Sequence, residues 1–223
     1  MSQTIQMSDS FATGALLALA GGFLDAYTYI CRGGVFANAQ TGNIVLFGVK
    51  LAELQWRESL AYLLPIAAFF LGIFFAEMVK HRFREQSRVH WRQIILGVEL
   101  LILLLVARLP ERQNLLANTL VSFICSIQVE SFRKVRGNPY ATTMCTGNLR
   151  SATERLYLYR LSHDRNQLRR SLEYYGVIGF FIIGAVAGAV FSHLLGLKAV
   201  LLVCIFLLAA FFLMFKPVYV QAD

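Results

Sequence analysis

The chain has 223 residues, of which 57% are hydrophobic and only 15% are charged, and its mean hydropathy is +0.57. Because a soluble domain carries about 25% charged residues, this composition excludes an ordinary soluble protein and indicates an integral membrane protein. The net charge of +8 is better explained by membrane topology than by nucleic-acid binding, so no nucleic-acid partner is expected.

Six apolar runs follow one another along the chain, each near the roughly 20 residues that a helix needs to cross a bilayer. They cover residues 11–31, 59–79, 92–108, 114–132, 172–195 and 199–215. We therefore predict an all-α membrane protein with six transmembrane helices. The first run exceeds the apolar part of an ordinary signal peptide and no Lys or Arg precedes it, so we expect it to be retained as a span.

The first span contains Asp25 and leads into a polar stretch, FANAQTGNIVLFG, at residues 36–48. Residues 40–51 have helical apolar spacing, but they would form a helix of only about 18 Å, too short for a hydrocarbon core of about 30 Å. Two alternatives remain open: a helix lying at the membrane surface, or a re-entrant loop that returns as a half-helix. Thr41 is the predicted N-cap, with Asn38 as an alternative one turn earlier.

Acidic residues inside the spans are the candidates for proton or ion coupling. A carboxylate at mid-helix costs about 2.5 to 3.5 kcal/mol on insertion scales, so such residues usually face the bundle interior and mark ion pathways. Asp25 and Glu99 are the preferred candidates, and a hydrogen bond between helices is the alternative for each. Glu130 is a third candidate, although an ion pair with a neighbouring base such as Arg133 explains it more simply.

The polar triplet of the first stretch recurs after the fourth span, in YATTMCTGNLRSA at residues 140–152. An offset of 105 residues superposes Thr41–Asn43 on Thr146–Asn148 and also carries Asp25 onto Glu130. The chain therefore divides into two membrane repeats, residues 1–110 and 111–223, each with three spans and one short Thr-Gly-Asn element. A unit with an odd number of spans must be inverted in its second copy, as in many secondary transporters. A duplication that serves only packing is the alternative.

Uncharged polar side chains concentrate in the two Thr-Gly-Asn elements, and these are the candidate solute-binding residues. They are Asn38, Gln40, Thr41, Asn43, Thr143, Thr146 and Asn148. In the second element Thr146 is the predicted N-cap, with Thr143 as the alternative one turn earlier. If both half-helices point their N-termini at the midplane, the positive ends of their dipoles would favour an anionic or polar solute.

The distribution of basic residues predicts the orientation of the six spans. Only six of the 21 Lys and Arg residues fall on one face: Arg32, Lys50, Arg57, Arg108, Arg112 and Lys198. The others fall on the face that also carries both chain ends. Since excess Lys and Arg stay in the cytoplasm, both termini are predicted to be cytoplasmic.

The stretch GGFLDAYTYICRGGVFANAQTGNIVLFG at residues 21–48, together with ATTMCTGNLRSA at residues 141–152, resembles the signature of the YoaK-like family of bacterial membrane proteins. The likeness extends over essentially the whole chain. It implies a multi-pass protein of the bacterial cytoplasmic membrane. The family is a domain of unknown function, so the resemblance implies no substrate.

The repeat and the buried acids favour a secondary transporter or permease for a small solute, with proton coupling through Asp25 and Glu99. One alternative is a passive channel on the same inverted repeat. The other is a membrane scaffold or regulatory protein whose basic region 133–170 binds anionic lipid or another protein. The expected partners are the lipid bilayer and an unidentified solute, and a homo-oligomer is compatible with the sequence.

An enzyme is not expected, because the spans contain no Ser/His pair, HExxH motif or paired aspartates. The four cysteines, Cys31, Cys125, Cys145 and Cys204, lack the spacing of a metal or redox site. We therefore assign no catalytic residue, no metal ligand and no cofactor.

Overall fold

The computed structural model describes residues 4–5, 7–84, 90–215 and 219–220, and in these ranges the protein is all-α. Its helices are α1 (Phe11–Cys31), α2 (Gln40–Ala52), α3 (Trp56–Phe83), α4 (Trp91–Val106), α5 (Asn114–Ser131), α6 (Cys145–Ser162), α7 (Arg165–Leu195) and α8 (Val203–Leu213). Three 3₁₀ turns cover Met7–Asp9, Glu111–Gln113 and Gly196–Leu202. Four two-residue strands complete the described structure: β1 (Thr4–Ile5), β2 (Lys134–Val135), β3 (Asn138–Pro139) and β4 (Tyr219–Val220).

Three helical stretches are long and apolar enough to cross a membrane: Phe11–Cys31, Trp56–Phe83 and Arg165–Leu213. The chain is therefore a membrane protein. The third stretch joins α7 to α8 through the 3₁₀ turn, and the chain reverses there at Gly196, whose φ is +57°. Helices occupy all six predicted span positions, but α4 has only 16 residues and α5 only 18.

Helices α1 and α7 run parallel in close backbone contact. The ring of Phe11 lies against Gly176 near the start of both helices, and near their ends the Cys31 thiol reaches the Ser192 carbonyl oxygen. Between these points a Cβ at Gly184 would collide with the carbonyl of Leu19. Small residues at this spacing let helix backbones touch, which is the usual source of helix association in lipid.

Helices α3 and α5 repeat this arrangement on the other side of the molecule. The Ser122 hydroxyl donates to the Pro65 carbonyl at 2.8 Å, and further along both helices Gly72 faces Ser126. The two helices therefore also run parallel, and Gly72, in the second predicted span, lies at their close approach.

Helices α1 and α5 run antiparallel to each other. Near the start of α1 the Gln128 amide donates to the Leu17 carbonyl at 3.3 Å, and near its end the Asn118 amide donates to the Arg32 carbonyl at 2.9 Å. The helix contacts keep their pattern when the halves are exchanged. The contact of α1 with α7 corresponds to that of α5 with α3, α2 with α3 to α6 with α7, and α1 with α8 to α5 with α4.

Arg32 closes one end of the bundle and is fully buried. Its guanidinium donates to the carbonyls of Val106 and Leu109, at 2.8 and 3.0 Å, and to the hydroxyl of Tyr27 at 2.8 Å. The carbonyls at the end of a helix carry partial negative charge and accept such a cation well. Arg32 is therefore a structural residue rather than a loop charge that sets topology.

At the opposite end Arg92 joins the start of the chain to α4 and α5. Its guanidinium pairs with Asp9 at 3.0 Å and donates to the Ser131 carbonyl at 2.8 Å. Strands β1 and β4 pair antiparallel. The two ends of the described chain therefore lie on the same side of the molecule.

Candidate functional site

Helix α2 begins inside the bundle, beside the middle of α1. The backbone N–H of Asn38 donates to the Asp25 carboxyl at 3.3 Å, and that of Ala37 donates to the Thr28 hydroxyl at 3.4 Å. Asp25 lies six residues before the end of α1, a distance of about 9 Å along the helix. The loop after α1 thus turns back along that helix before α2 starts.

Contacts with α3 and α5 give the same depth for the start of α2. The Gln40 amide donates to the Ser122 hydroxyl at 2.7 Å, and that hydroxyl donates to the carbonyl of Pro65. Pro65 lies nine residues into α3, or about 14 Å from its start. Because α2 ends at Ala52, just before α3 begins, it rises from the interior to the end of the bundle beside α3.

Helix α6 begins in the interior from the opposite end. The Gln128 amide of α5 donates to the Thr142 hydroxyl at 2.9 Å, and the methyl group of Thr143 lies directly over Gly21 of α1. Farther along, the Ser171 hydroxyl of α7 donates to the Ala152 carbonyl at 2.8 Å. Helix α6 therefore runs outward beside α7, as α2 does beside α3.

Helices α2 and α6, which carry the Thr-Gly-Asn triplets and are called the short helices from here on, converge on one turn of α1. Gly21, under Thr143, and Asp25, bonded to Asn38, are four residues apart on α1 and so lie on the same face, about 6 Å from each other. The loops that lead into α2 and α6 therefore meet the same short segment of α1 from opposite ends of the bundle.

Asn38 carries the strongest sign of a binding role. Its side-chain amide interacts with the Asp25 carboxyl and the Cys125 thiol, but among the described residues neither its Nδ2 nor its Oδ1 makes a hydrogen bond with good distance and angle. Leaving a buried polar atom unpaired costs about 1–3 kcal/mol. A ligand or an ordered water at this place would complete the hydrogen bonds of both atoms.

Glu99 of α4 also lies near Cys125. Its side chain is 2% exposed, and its Oε1 has no hydrogen-bond partner among the described residues. Asp25 and Glu99 both lie within electrostatic range of the Cys125 thiol. The two preferred acids therefore both act on one residue of α5, Cys125.

Glu130 is separate from this pair. Its carboxylate forms an ion pair with the Arg133 guanidinium at 3.1 Å. This is the simpler of the two explanations that the sequence offered for Glu130. The two side chains also line a cavity of about 430 Å³ that reaches Gly147 and Asn148 of α6. Glu130 thus lies at an approach to the second short helix.

The predicted N-caps of the short helices are wrong. Ala39 and Met144 precede α2 and α6, and neither makes a side-chain capping bond. Thr41 and Thr146 lie within the helices and are exposed. The loops are held by other bonds, because the Asn38 N–H bonds to Asp25 and that of Ala141 bonds to the Asn148 side chain at 3.2 Å.

The asparagines of the two triplets are buried and already paired. Both are 2% exposed. Asn43 donates to Gln40 Oε1 at 3.3 Å, and Asn148 donates to the Ala141 carbonyl at 2.6 Å. Gln40, Asn43 and Asn148 therefore position the short helices, whereas Asn38 and Thr143 face the convergence on α1.

Three contributing residues were missed in the sequence: Ser122, Gln128 and Thr142. A signal for Ser122 was present, because Asn118, Ser122 and Ser126 recur every four residues in the fourth predicted span. That spacing places them on one helix face, and a polar face in an apolar span usually points into protein.

The fold and this site define an all-helical membrane protein in which two short helices begin inside the bundle and meet the middle of the first helix. The sequence profile of the family described as "Protein of unknown function (DUF1275)" matches residues 13–214. The chain therefore belongs to that family. Comparison with curated proteins and with solved structures finds no match.

Proposed function

We propose that this protein is a secondary transporter or permease for a small solute. The observation that carries the proposal is the unpaired Asn38 amide beside Asp25, at the turn of α1 where α2 and α6 both begin. Interrupted helices that meet near the centre of the bundle form the substrate and ion sites of many secondary transporters.

The proposed architecture is six spans in two inverted three-span repeats, residues 1–110 and 111–223, with α2 and α6 as re-entrant half-helices. Support comes from the antiparallel α1 and α5, which are equivalent in the two repeats, and from helix contacts that keep their pattern when the halves are exchanged. Non-helical backbone before a half-helix is tolerated at membrane depth when protein surrounds it, as α1 and α5 surround Ala37 and Gln40.

The proposed roles divide the polar residues into two groups. Asn38 and Thr143 contact the solute, while Asp25 and Glu99 carry the coupled proton or cation. Gln40, Asn43 and Asn148 hold the half-helices in place through the hydrogen bonds described above. Thr41 and Thr146 have the weakest support because they face outward, and Glu130 lies on the approach rather than at the centre.

The proposed setting is the bacterial cytoplasmic membrane, in keeping with the YoaK-like signature at residues 21–48, and we infer that this signature and the DUF1275 match describe one family. Both termini are proposed to be cytoplasmic, since β1 pairs with β4 and most Lys and Arg lie toward that side. The partners are the bilayer and an unidentified solute. The proposed activity is not enzymatic and uses no cofactor.

The test is solute flux in proteoliposomes loaded with a pH-sensitive dye. Inorganic anions, organic acids, amino acids and sugars are added in turn under an imposed pH gradient. We expect one class to move the internal pH, and we expect Asp25→Asn to abolish that signal. The asparagine still offers an oxygen to the Asn38 N–H, so the fold should be kept.

The matched control is Glu53→Gln, which removes an exposed acid paired with Lys50 and should leave flux unchanged. Undiminished flux in folded Asp25→Asn protein would remove Asp25 from the mechanism. Flux that ignores the pH gradient would favour the passive channel. If no solute moves, the transport proposal fails and the scaffold alternative takes its place.

A further inference from the structure

A second cavity lies away from the convergence of the short helices, where the start of α1 meets the first turns of α7. It has a volume of about 600 Å³, within the roughly 300–1,000 Å³ of typical ligand pockets. Residues of the β2–β3 turn and of the end of α6 complete its walls. None of the residues assigned to solute binding or proton coupling lines it.

The polar wall of this cavity has an excess of positive charge. It carries Arg136, Arg165 and Arg169 but only one acid, Glu173. Both oxygens of Glu173 are engaged: Arg136 and Arg169 pair with Oε1 at 3.0 and 3.5 Å, and Asn138 donates to Oε2 at 3.0 Å. Three guanidinium groups against one carboxylate favour an anion, and the planar guanidinium fork matches phosphate oxygens.

Apolar side chains form the rest of the lining, called the apolar wall here, and two of them lie on the same face of α7 as Arg165 and Arg169. Phe11, Leu168 and Leu172 line it, and the Leu172 side chain is 59% exposed. Beyond them the outer face of α7 continues with exposed Ile182 and Ile183. A soluble anion would gain nothing from this wall, whereas hydrocarbon chains would cover it.

We propose that this cavity binds one anionic diacyl phospholipid. The headgroup phosphate contacts the arginines, and the acyl chains pass Leu172 and follow the outer face of α7. Basic pockets between helices at the cytoplasmic membrane surface bind anionic headgroups in this way. A bound lipid bridges α1, α6, α7 and the β2–β3 turn, so it stabilises the elements that carry the second short helix. The inference does not depend on transport.

The test measures lipid retention on the purified full chain by native mass spectrometry. Phosphatidylglycerol is compared with phosphatidylcholine of identical acyl chains. The test variant is Arg136→Gln/Arg165→Gln, and Arg165→Gln alone serves as a milder change that leaves the Glu173 bonds intact. The control is Arg57→Gln/Arg112→Gln, which removes the same charge from two exposed arginines elsewhere in the chain.

We expect the wild type to retain phosphatidylglycerol in preference to phosphatidylcholine. With about 1 kcal/mol per basic residue at a membrane surface, the double variant should bind it about tenfold to thirtyfold more weakly, the single variant should fall between, and the control should match the wild type. Equal retention of both lipids, or an equal loss in the control, would overturn the proposal. Displacement of the lipid by equimolar glycerol 3-phosphate would also overturn it, because the apolar wall would then contribute nothing.

Discussion

Asn38 and Asn148 occupy comparable places in the two halves but differ in their hydrogen bonds. The Asn148 amide is fully used by Ala141, whereas the Asn38 amide has no partner among the described residues. A binding residue often lowers the stability of the unliganded protein, because its polar atoms have no hydrogen-bond partner until the ligand binds. This contrast separates positioning from binding at the level of single side chains.

We therefore predict opposite stability effects for two alanine substitutions. Asn38→Ala removes two unpaired polar atoms and should leave the unfolding free energy unchanged or raise it by up to about 1 kcal/mol, while solute flux is lost. Asn148→Ala breaks two satisfied bonds and should cost about 1–3 kcal/mol. Unfolding in mixed micelles measures both. A large loss for Asn38→Ala would instead mean that its amide is structural.

His90 is the residue at which stability should respond to pH. Its Nδ1 accepts the Arg92 N–H at 3.3 Å and caps α4. Burial, and then the charge of Arg92, lower the pKa of His90, with Asp9 opposing them. The unfolded chain therefore binds the proton more readily, so stability is full above about pH 6.5 and falls as the pH drops toward the lowered value.

His90→Asn should flatten this pH dependence. Asparagine is a good N-cap that does not titrate, so the variant should match the wild type at pH 8 and be more stable than it at pH 5. Thermal unfolding is measured for both proteins across that pH range. The other histidines contribute equally to both, so their contribution cancels when the wild-type stability is subtracted from that of the variant. An unchanged slope in the variant would exclude His90 as the source.

At the scale of elements, apolar run length predicted the positions of α1, α3, α4, α5, α7 and α8, whereas α6, with 18 residues as long as α5, was expected only from the recurring Thr-Gly-Asn triplet. The first span, residues 11–31, coincides with α1, and Gly72 of α3 and Gly184 of α7 lie at the close helix contacts. The depth of α2 could not be predicted, because surface and interior helices of this length share one amphipathic pattern. Contacts from Asp25 and Ser122 decide its depth, and they come from distant parts of the chain.

Two glycines of α7 provide a test of the α1–α7 contact. Gly184→Ala would drive a Cβ into the backbone of Leu19, whereas a Cβ at Gly179 meets nothing. Both changes gain the same helix propensity, about 1 kcal/mol in water. We expect Gly184→Ala to destabilise the protein by a few kcal/mol and Gly179→Ala to be neutral or stabilising. Equal effects on thermal stability would show that the close contact does not hold the helices together.

At the scale of the whole molecule, the short helices exit at opposite ends of the bundle. Helix α2 ends beside the start of α3, at the end that Arg32 closes, and α6 ends beside the start of α7, at the end where Phe11 lies. If the bundle spans a membrane, these two ends face opposite compartments. Helices α2 and α6 then point to opposite compartments, as inverted halves require. The orientation of two exposed positions therefore tests the repeat independently of any solute.

We predict that Glu53→Cys and Ser162→Cys, each in a background without the native cysteines, label from opposite sides. Both positions are exposed at the outer ends of α2 and α6. A membrane-impermeant thiol reagent on intact cells should modify position 53, and it should modify position 162 only after permeabilisation, because the basic face stays in the cytoplasm. The reverse pattern would keep the inverted repeat but turn the protein over. Labelling of both positions from one side would mean that the two halves are parallel. The proposal that α2 and α6 reach Asp25 from opposite sides of the membrane would then fail.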